Sequence, residues 1–191
     1  MLRMTEVVKN LLIINVIVFF AVWFLIPIPG IERYFILSRP DHAGFEPVQL
    51  ITHMFMHANF EHLFFNLFGL YMFGPYVESS LGPKRFLILY LVAGFVASFL
   101  QLLIAPNPIL GASGAIFGVT TAFATMFPNV QLMLLFPPIP VKAKYMAMFF
   151  IGLGLFSGFS GFQPGIAHFA HVGGAICGFL MIQYWKMANL R

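Results

Sequence analysis

Charge is scarce in this chain. Asp, Glu, Lys and Arg together make up 8% of its 191 residues, against about a quarter in a soluble globular domain. So few charges, beside 60% hydrophobic residues and a mean hydropathy of +0.91, make a water-soluble domain implausible and lipid the principal solvent. Cysteine is scarcer still. Cys177 stands alone, which excludes an internal disulfide and a Cys-rich metal site, and Gly174, Ala175 and Gly178 around it mark a packed thiol. Aspartate also occurs once, as Asp41, so a Ser-His-Asp triad is disfavoured. No HExxH is present, which argues against a zinc protease of the membrane. Basic residues exceed acidic ones by ten to six, yet the longest basic run is Lys84-Arg85. The excess therefore reads as topology signal, with no nucleic-acid partner.

Six apolar segments are present, about 10–27, 60–77, 86–105, 109–127, 145–159 and 166–185. A bilayer core needs ~20 apolar residues per helix, and the fifth segment is short enough to need residues from either end. Pro137, Pro138 and Pro140 turn 131–140 into a loop at the interface. Arg3, Lys9, Lys84, Arg85, Lys142, Lys144, Lys186 and Arg191 fall on one side of a six-span arrangement, and Arg33 and Arg39 on the other. The positive-inside rule then makes both termini cytoplasmic. The fold class expected is an all-α polytopic membrane protein of six transmembrane helices. The segment after Met1 has no small-residue cleavage site and reads as an uncleaved first span. The first outer loop, about 29–59, carries apolar pieces that suit the membrane surface. No repeat or soluble module interrupts the chain, which reads as one domain, 1–191.

Ionisable and polar groups inside spans are functional hypotheses by default. On the outward half of the fold sit His53, His57, His62, Asn66, Ser113, His168 and His171. The second, fourth and sixth spans run the same way, so His62 and Asn66, Ser113, and His171 share one depth near the outer rim. A serine hydroxyl needs an adjacent base to become a nucleophile, and a histidine supplies one at neutral pH. Ser113 opens a helix, where unpaired N–H groups and the positive dipole end suit an oxyanion. His62 and Asn66, one turn apart on one face, add candidate donors. Gly114 and Gly118, like Gly174 and Gly178, have the spacing that lets helices touch backbone to backbone. That approach would bring Ser113 against His171.

Plainer explanations cover other positions. Ser98, Ser157 and Ser160 are packing residues, and the 25 phenylalanines face lipid or fill the core. His53 and His57, also one turn apart, read as loop braces more readily than as metal ligands. Glu78 reads as structural, capping the inner loop near Gly82. His168 shares a face with His171 and competes with it as base. His171 is preferred because it lies deeper and precedes Gly174 and Gly178.

Three motifs together resemble the rhomboid family of intramembrane serine proteases: His62-Leu-Phe-Phe-Asn66, Gly111-Ala112-Ser113-Gly114, and His171-Val-Gly-Gly174-Ala-Ile-Cys-Gly178. The match runs from about Thr52 to Gly178, and Glu78-Ser-Ser-Leu-Gly82 is similar to the family's ending of the second span. The resemblance implies a rhomboid-like bundle with a water-filled cavity, Ser113 as nucleophile and His171 as general base. It implies an oxyanion hole of His62, Asn66 and the Ser113 backbone N–H, with His53, His57, Gly111 and Gly114 as accessory residues. It implies transmembrane protein substrates within the lipid bilayer, and neither cofactor nor metal. The chain resembles the minimal bacterial form, which implies a multi-pass place in the bacterial inner membrane. Val48-Gln49 departs from the Trp-Arg pair that many members carry in the first outer loop. Two other functions compete: an inactive relative that binds transmembrane helices, and a small transporter moving protons on its histidines.

Overall fold

The computed structural model describes residues 3–25, 28–105, 107–134, 137–162 and 165–188. The described residues form seven α-helices, six of them long: α1 Glu6–Phe20, α3 Phe60–Leu81, α4 Pro83–Ile104, α5 Ser113–Met126, α6 Ala143–Ser160 and α7 His168–Ala188, with the one-turn α2 at Gln49–Thr52. Each of the six sequence segments corresponds to one of these long helices, with shifted ends. α1 starts four residues early and continues as a π-helical turn to Leu25; Pro27 and Arg191 lie outside the described residues. The fifth segment does gain residues at both ends, as α6.

Two boundaries depart from expectation for local reasons. The fourth segment is not helical from Ile109. Pro108 and a Gly111 at φ +115° break the helix, and Ile109 instead exchanges two backbone hydrogen bonds with Leu37 (2.8 and 2.9 Å). The proline-rich loop is also more ordered than a bare loop. Its flanks pair as a short antiparallel hairpin, β1 Gln131–Met133 with β2 Pro140–Lys142, so the fold is not purely helical. Pro140 is tolerated because it opens its strand.

Among the described residues, three helices are long and apolar enough to cross a membrane: α1 with its π-turn to Phe24, α4 and α6. α5 is apolar but shorter. α3 and α7 are long enough, at 22 and 21 residues, but carry polar side chains, His62 and Asn66 on α3 and His168 and His171 on α7.

Small residues set the centre. A Cβ on Gly114 or Gly118 of α5 would overlap the Cβ of Ala97 or Ala93 of α4, and one on Gly174 or Gly178 of α7 would overlap the carbonyl oxygens of Gly114 and Gly118. α4, α5 and α7 thus meet at backbone distance, the arrangement small residues permit. Around this trio, α3 packs on α5, and α1 packs on α3. Glu78 has a larger role than the inner-loop cap expected of it. Its carboxylate accepts from the Thr5 hydroxyl and from the amides of Val7 (3.0 Å) and Val8 (2.9 Å). It therefore caps the start of α1, where free N–H groups and the dipole favour an anion.

The long loop after α1 is held by Gln49, which is buried. Its amide nitrogen donates to the carbonyls of Arg33 and Gly44 (both 2.8 Å), and its oxygen accepts from Ser38 N–H (3.1 Å). Three loop segments converge on one side chain, so the departure at Val48-Gln49 leaves the loop anchored. Gln49→Ala would strand these backbone groups, each costing about 1–3 kcal/mol. It is expected to lower the thermal midpoint in detergent and to speed hydrogen exchange across 31–49. Unchanged exchange there would refute the anchor.

Candidate functional site

α3, α5 and α7 all begin at one end of the bundle, and each contributes to the site from its first turns. Asn59 caps α3, its side chain accepting from His62 N–H (2.8 Å), which fixes the turn that carries His62. Gly111 stands two residues before α5, and its amide donates to the His53 carbonyl (2.8 Å). The positive φ suits glycine alone, and a Cβ there would strike the His62 ring at 2.7–2.8 Å. Ser113 is the first residue of α5, so its amide has no intrahelical acceptor.

The Ser113 Oγ lies 2.9 Å from the His171 Nε2. The imidazole stacks on Phe117, with centroids 4.3 Å apart and planes 3° from parallel. Phe117 stands one turn after Ser113, so a single face of α5 supplies both the hydroxyl and the plate that fixes the ring. Sequence reasoning passed over Phe117 as one aromatic among many; its spacing from Ser113 was the available signal. Gln101 was also missed. Buried on α4, it accepts from Ala170 N–H (3.2 Å) while donating to the Ala105 carbonyl (3.2 Å), and so secures the first turn of α7 beside His171. His168 takes a different course, its Nε2 bonding the Phe162 carbonyl (3.0 Å) with its ring 6.3 Å from that of His171.

His62 and Asn66 occupy one face of α3 near this pair. Ala58 N–H donates to the His62 Nδ1 (3.4 Å), which leaves the proton on Nε2, the atom turned toward Gly111. Asn66 donates one amide hydrogen to the His62 carbonyl (2.7 Å), leaving its second for other use. His57 meets the His62 ring edge-on at 5.0 Å, and its carbonyl accepts from the indole of Trp23 (2.9 Å). His53 donates from Nδ1 to the Gln49 carbonyl (2.6 Å). Among the described residues no group of three His, Cys, Asp or Glu side chains is arranged to hold a metal.

Burial holds His53 down to about 4 and His57 down to about 3, the latter further lowered by His62. Both are therefore neutral when folded, whereas the unfolded chain protonates them near the ordinary value of about 6.5. Stability is thus full above about pH 6.5 and falls as the pH drops toward the folded values. Thermal unfolding in detergent is expected to be flat on the alkaline side and to lose on the order of 3 kcal/mol through His53 alone by about pH 4. His53→Gln should blunt that loss; an acid limb that His53→Gln leaves untouched would count against it.

These features define an apolar helical membrane protein with a serine and a histidine hydrogen-bonded where three helices begin. The chain belongs to the rhomboid family, whose Rhomboid domain matches residues 44–187. It is similar to the Rhomboid protease GluP of Bacillus subtilis, 34% identical over 131 residues, covering 69% of this chain and 24% of that protein. It is likewise similar to Rhomboid protein 1, mitochondrial, of Saccharomyces cerevisiae, 32% identical over 142 residues, 71% of this chain and 40% of the relative. The human Presenilin-associated rhomboid-like protein, mitochondrial, is 30% identical over 197 residues, 94% and 49% of the two chains. The chain spans between a quarter and a half of the length of these relatives.

Proposed function

We propose that this chain is an intramembrane serine endopeptidase that cleaves transmembrane segments of membrane proteins with a Ser113–His171 dyad. The observation that carries the reading is the 2.9 Å contact between the Ser113 Oγ and the His171 Nε2, inside an apolar bundle of a family that includes a named protease. Ser113 donates to Nε2; as its oxygen attacks a substrate carbonyl, the proton passes to His171. The tetrahedral oxyanion meets the Ser113 N–H at the positive start of α5, the His62 Nε2–H and the second amide hydrogen of Asn66. His171 then protonates the leaving amine, and water repeats the sequence on the acyl-enzyme. His53, His57, Gly111 and Gly114 act through support of the loop and of close packing, and no step calls for a cofactor.

The same reading has residues 1–191 as one unit crossing the bilayer six times, with both ends on the cytoplasmic side and the site near the opposite surface. A multi-pass membrane location follows. A bacterial inner membrane finds no support in the relatives, since two of the three named above are mitochondrial.

The test is labelling of the purified protein by a fluorophosphonate, together with incubation with single-span substrates and sequencing of the products. Labelling and an internal cut in or beside the span are expected. A folded protein that neither labels nor cuts, yet retains transmembrane helices, would replace the enzyme with the inactive binder. Proton flux in liposomes without any cleavage would favour the transporter.

A further inference from the structure

Beside the last turns of α4, a groove of about 390 Å³ separates the helix from the first long loop, with Arg39 and Asp41 on the loop side and Phe95, Phe99 and Leu103 among the residues of α4. We propose that this groove binds a phospholipid whose headgroup is a zwitterion with a primary ammonium, of the phosphatidylethanolamine type. Its phosphate meets Arg39, its ammonium meets Asp41, and one acyl chain runs along α4. The inference rests on the membrane placement proposed above and not on hydrolysis.

The polar part of the groove is a matched pair of charges. The Arg39 guanidinium donates from Nε to Asp41 Oδ1 (2.9 Å) and from Nη2 to Oδ2 (2.8 Å). Of its five N–H groups these use two and leave three for a phosphate. The carboxylate likewise keeps lone pairs for a further donor. Both side chains are exposed, and an exposed pair contributes little to folding. The backbone around it is held by other bonds. Leu37 exchanges two hydrogen bonds with Ile109, and His42 N–H donates to the Arg39 carbonyl (3.0 Å). Cation and anion therefore stand side by side on a fixed turn.

The α4 side of the groove is apolar. Phe95, Phe99 and Leu103 recur every four residues, so they share one face of the helix and form a track of about 12 Å. They are 48%, 61% and 70% exposed. Ser98 also lines the groove, but it is buried and its hydroxyl is spent on the Phe95 carbonyl (2.9 Å). The track suits hydrocarbon and offers a headgroup nothing.

Charge balance selects the headgroup. Arg39 and Asp41 cancel, so a net anionic lipid would set its excess charge against Asp41. A zwitterion answers both groups at once, because a short linker joins its phosphate to its ammonium. A quaternary ammonium has no N–H for the carboxylate, and its usual partner is an aromatic face; the lining aromatics, Phe95 and Phe99, belong to the chain track. A soluble zwitterion would leave that track uncovered.

The test uses the full chain in phosphatidylcholine vesicles containing a small fraction of phospholipid with a diazirine on its acyl chain. The headgroup of this probe is ethanolamine, choline or glycerol in turn. After irradiation, labelled peptides are quantified by mass spectrometry, with the exposed face of α6 around Phe156 as the bulk-lipid reference. Relative to that reference, the ethanolamine probe is expected to label 95–103 on the order of fivefold more than either other probe. Arg39→Gln/Asp41→Asn should bring the three probes to parity with an unchanged thermal midpoint. Equal labelling of 95–103 by all three, with α6 labelled, overturns the lipid site and leaves the membrane placement standing. A preference for glycerol, a choline probe equal to ethanolamine, or a preference surviving the double variant overturns it as well. Loss of the preference on adding soluble phosphoethanolamine would make this a soluble-ligand site instead. Absence of label on α6 with every probe would overturn the membrane placement together with the site.

Discussion

Ser113→Ala and His171→Ala are each expected to lower turnover of a single-span substrate by roughly four orders of magnitude or more, with the double variant no worse than either. The reason is that hydroxyl and imidazole act as a unit. An unactivated serine is a poor nucleophile, and a histidine without its serine has no proton to take. Asn66→Ala should lose less, about 10²–10³-fold, because one donor of several is removed. His168→Ala should spare most turnover, since its ring is held by the Phe162 carbonyl. Rates in proteoliposomes would decide the matter. Additive losses in the double variant, or a loss in His168→Ala matching that in His171→Ala, would refute the dyad as drawn.

The second large effect is expected at Gly174. A side chain there must enter space held by the Gly114 carbonyl oxygen, and backbone cannot swing aside as a flexible side chain can. Gly174→Val should therefore push α5 and α7 apart and destabilise the bundle by about 3 kcal/mol or more, beyond ordinary overpacking. Activity should fall with it, since Gly114 and Gly174 follow Ser113 and His171 by one and three residues. Gly152→Ala on α6 is the control: a Cβ there meets nothing within 4 Å, and the change should be neutral or stabilising by up to ~1 kcal/mol. Thermal unfolding of the three proteins in one detergent makes the comparison. A Gly174→Val protein as stable as Gly152→Ala would overturn the packing argument.

What could be read in advance follows from the range of each signal. Helix spans came from composition, which lipid enforces over long windows. The meeting of α5 with α7 came from glycine spacing, which is local to each helix. Ser113 was legible as the opening of a helix, but the non-helical stretch from Ile109 was not, because it depends on Gly111 adopting a positive φ and on the pairing of Ile109 with Leu37, far away in the chain. Gln49 and Gln101 were invisible for a similar reason. Each satisfies backbone groups distant in sequence, and a glutamine announces nothing about where its amide will turn. Phe117 was hidden by abundance, being one of 25.

The lengths of the lipid-facing helices have a consequence for the bilayer itself. At ~1.5 Å per residue, the 22 residues of α4 reach about 33 Å, while the 18 residues of α6 reach about 27 Å. In the membrane placement proposed above, a hydrocarbon layer near 30 Å meets α4 by tilt of the helix or slight swelling, and α6 by thinning. Phe150 of α6 touches Phe117, the residue against His171, so the thinned flank is the one adjoining the serine and histidine. In that placement, the expected consequence is a thinner hydrocarbon layer beside that pair and a shorter distance to it from surface water.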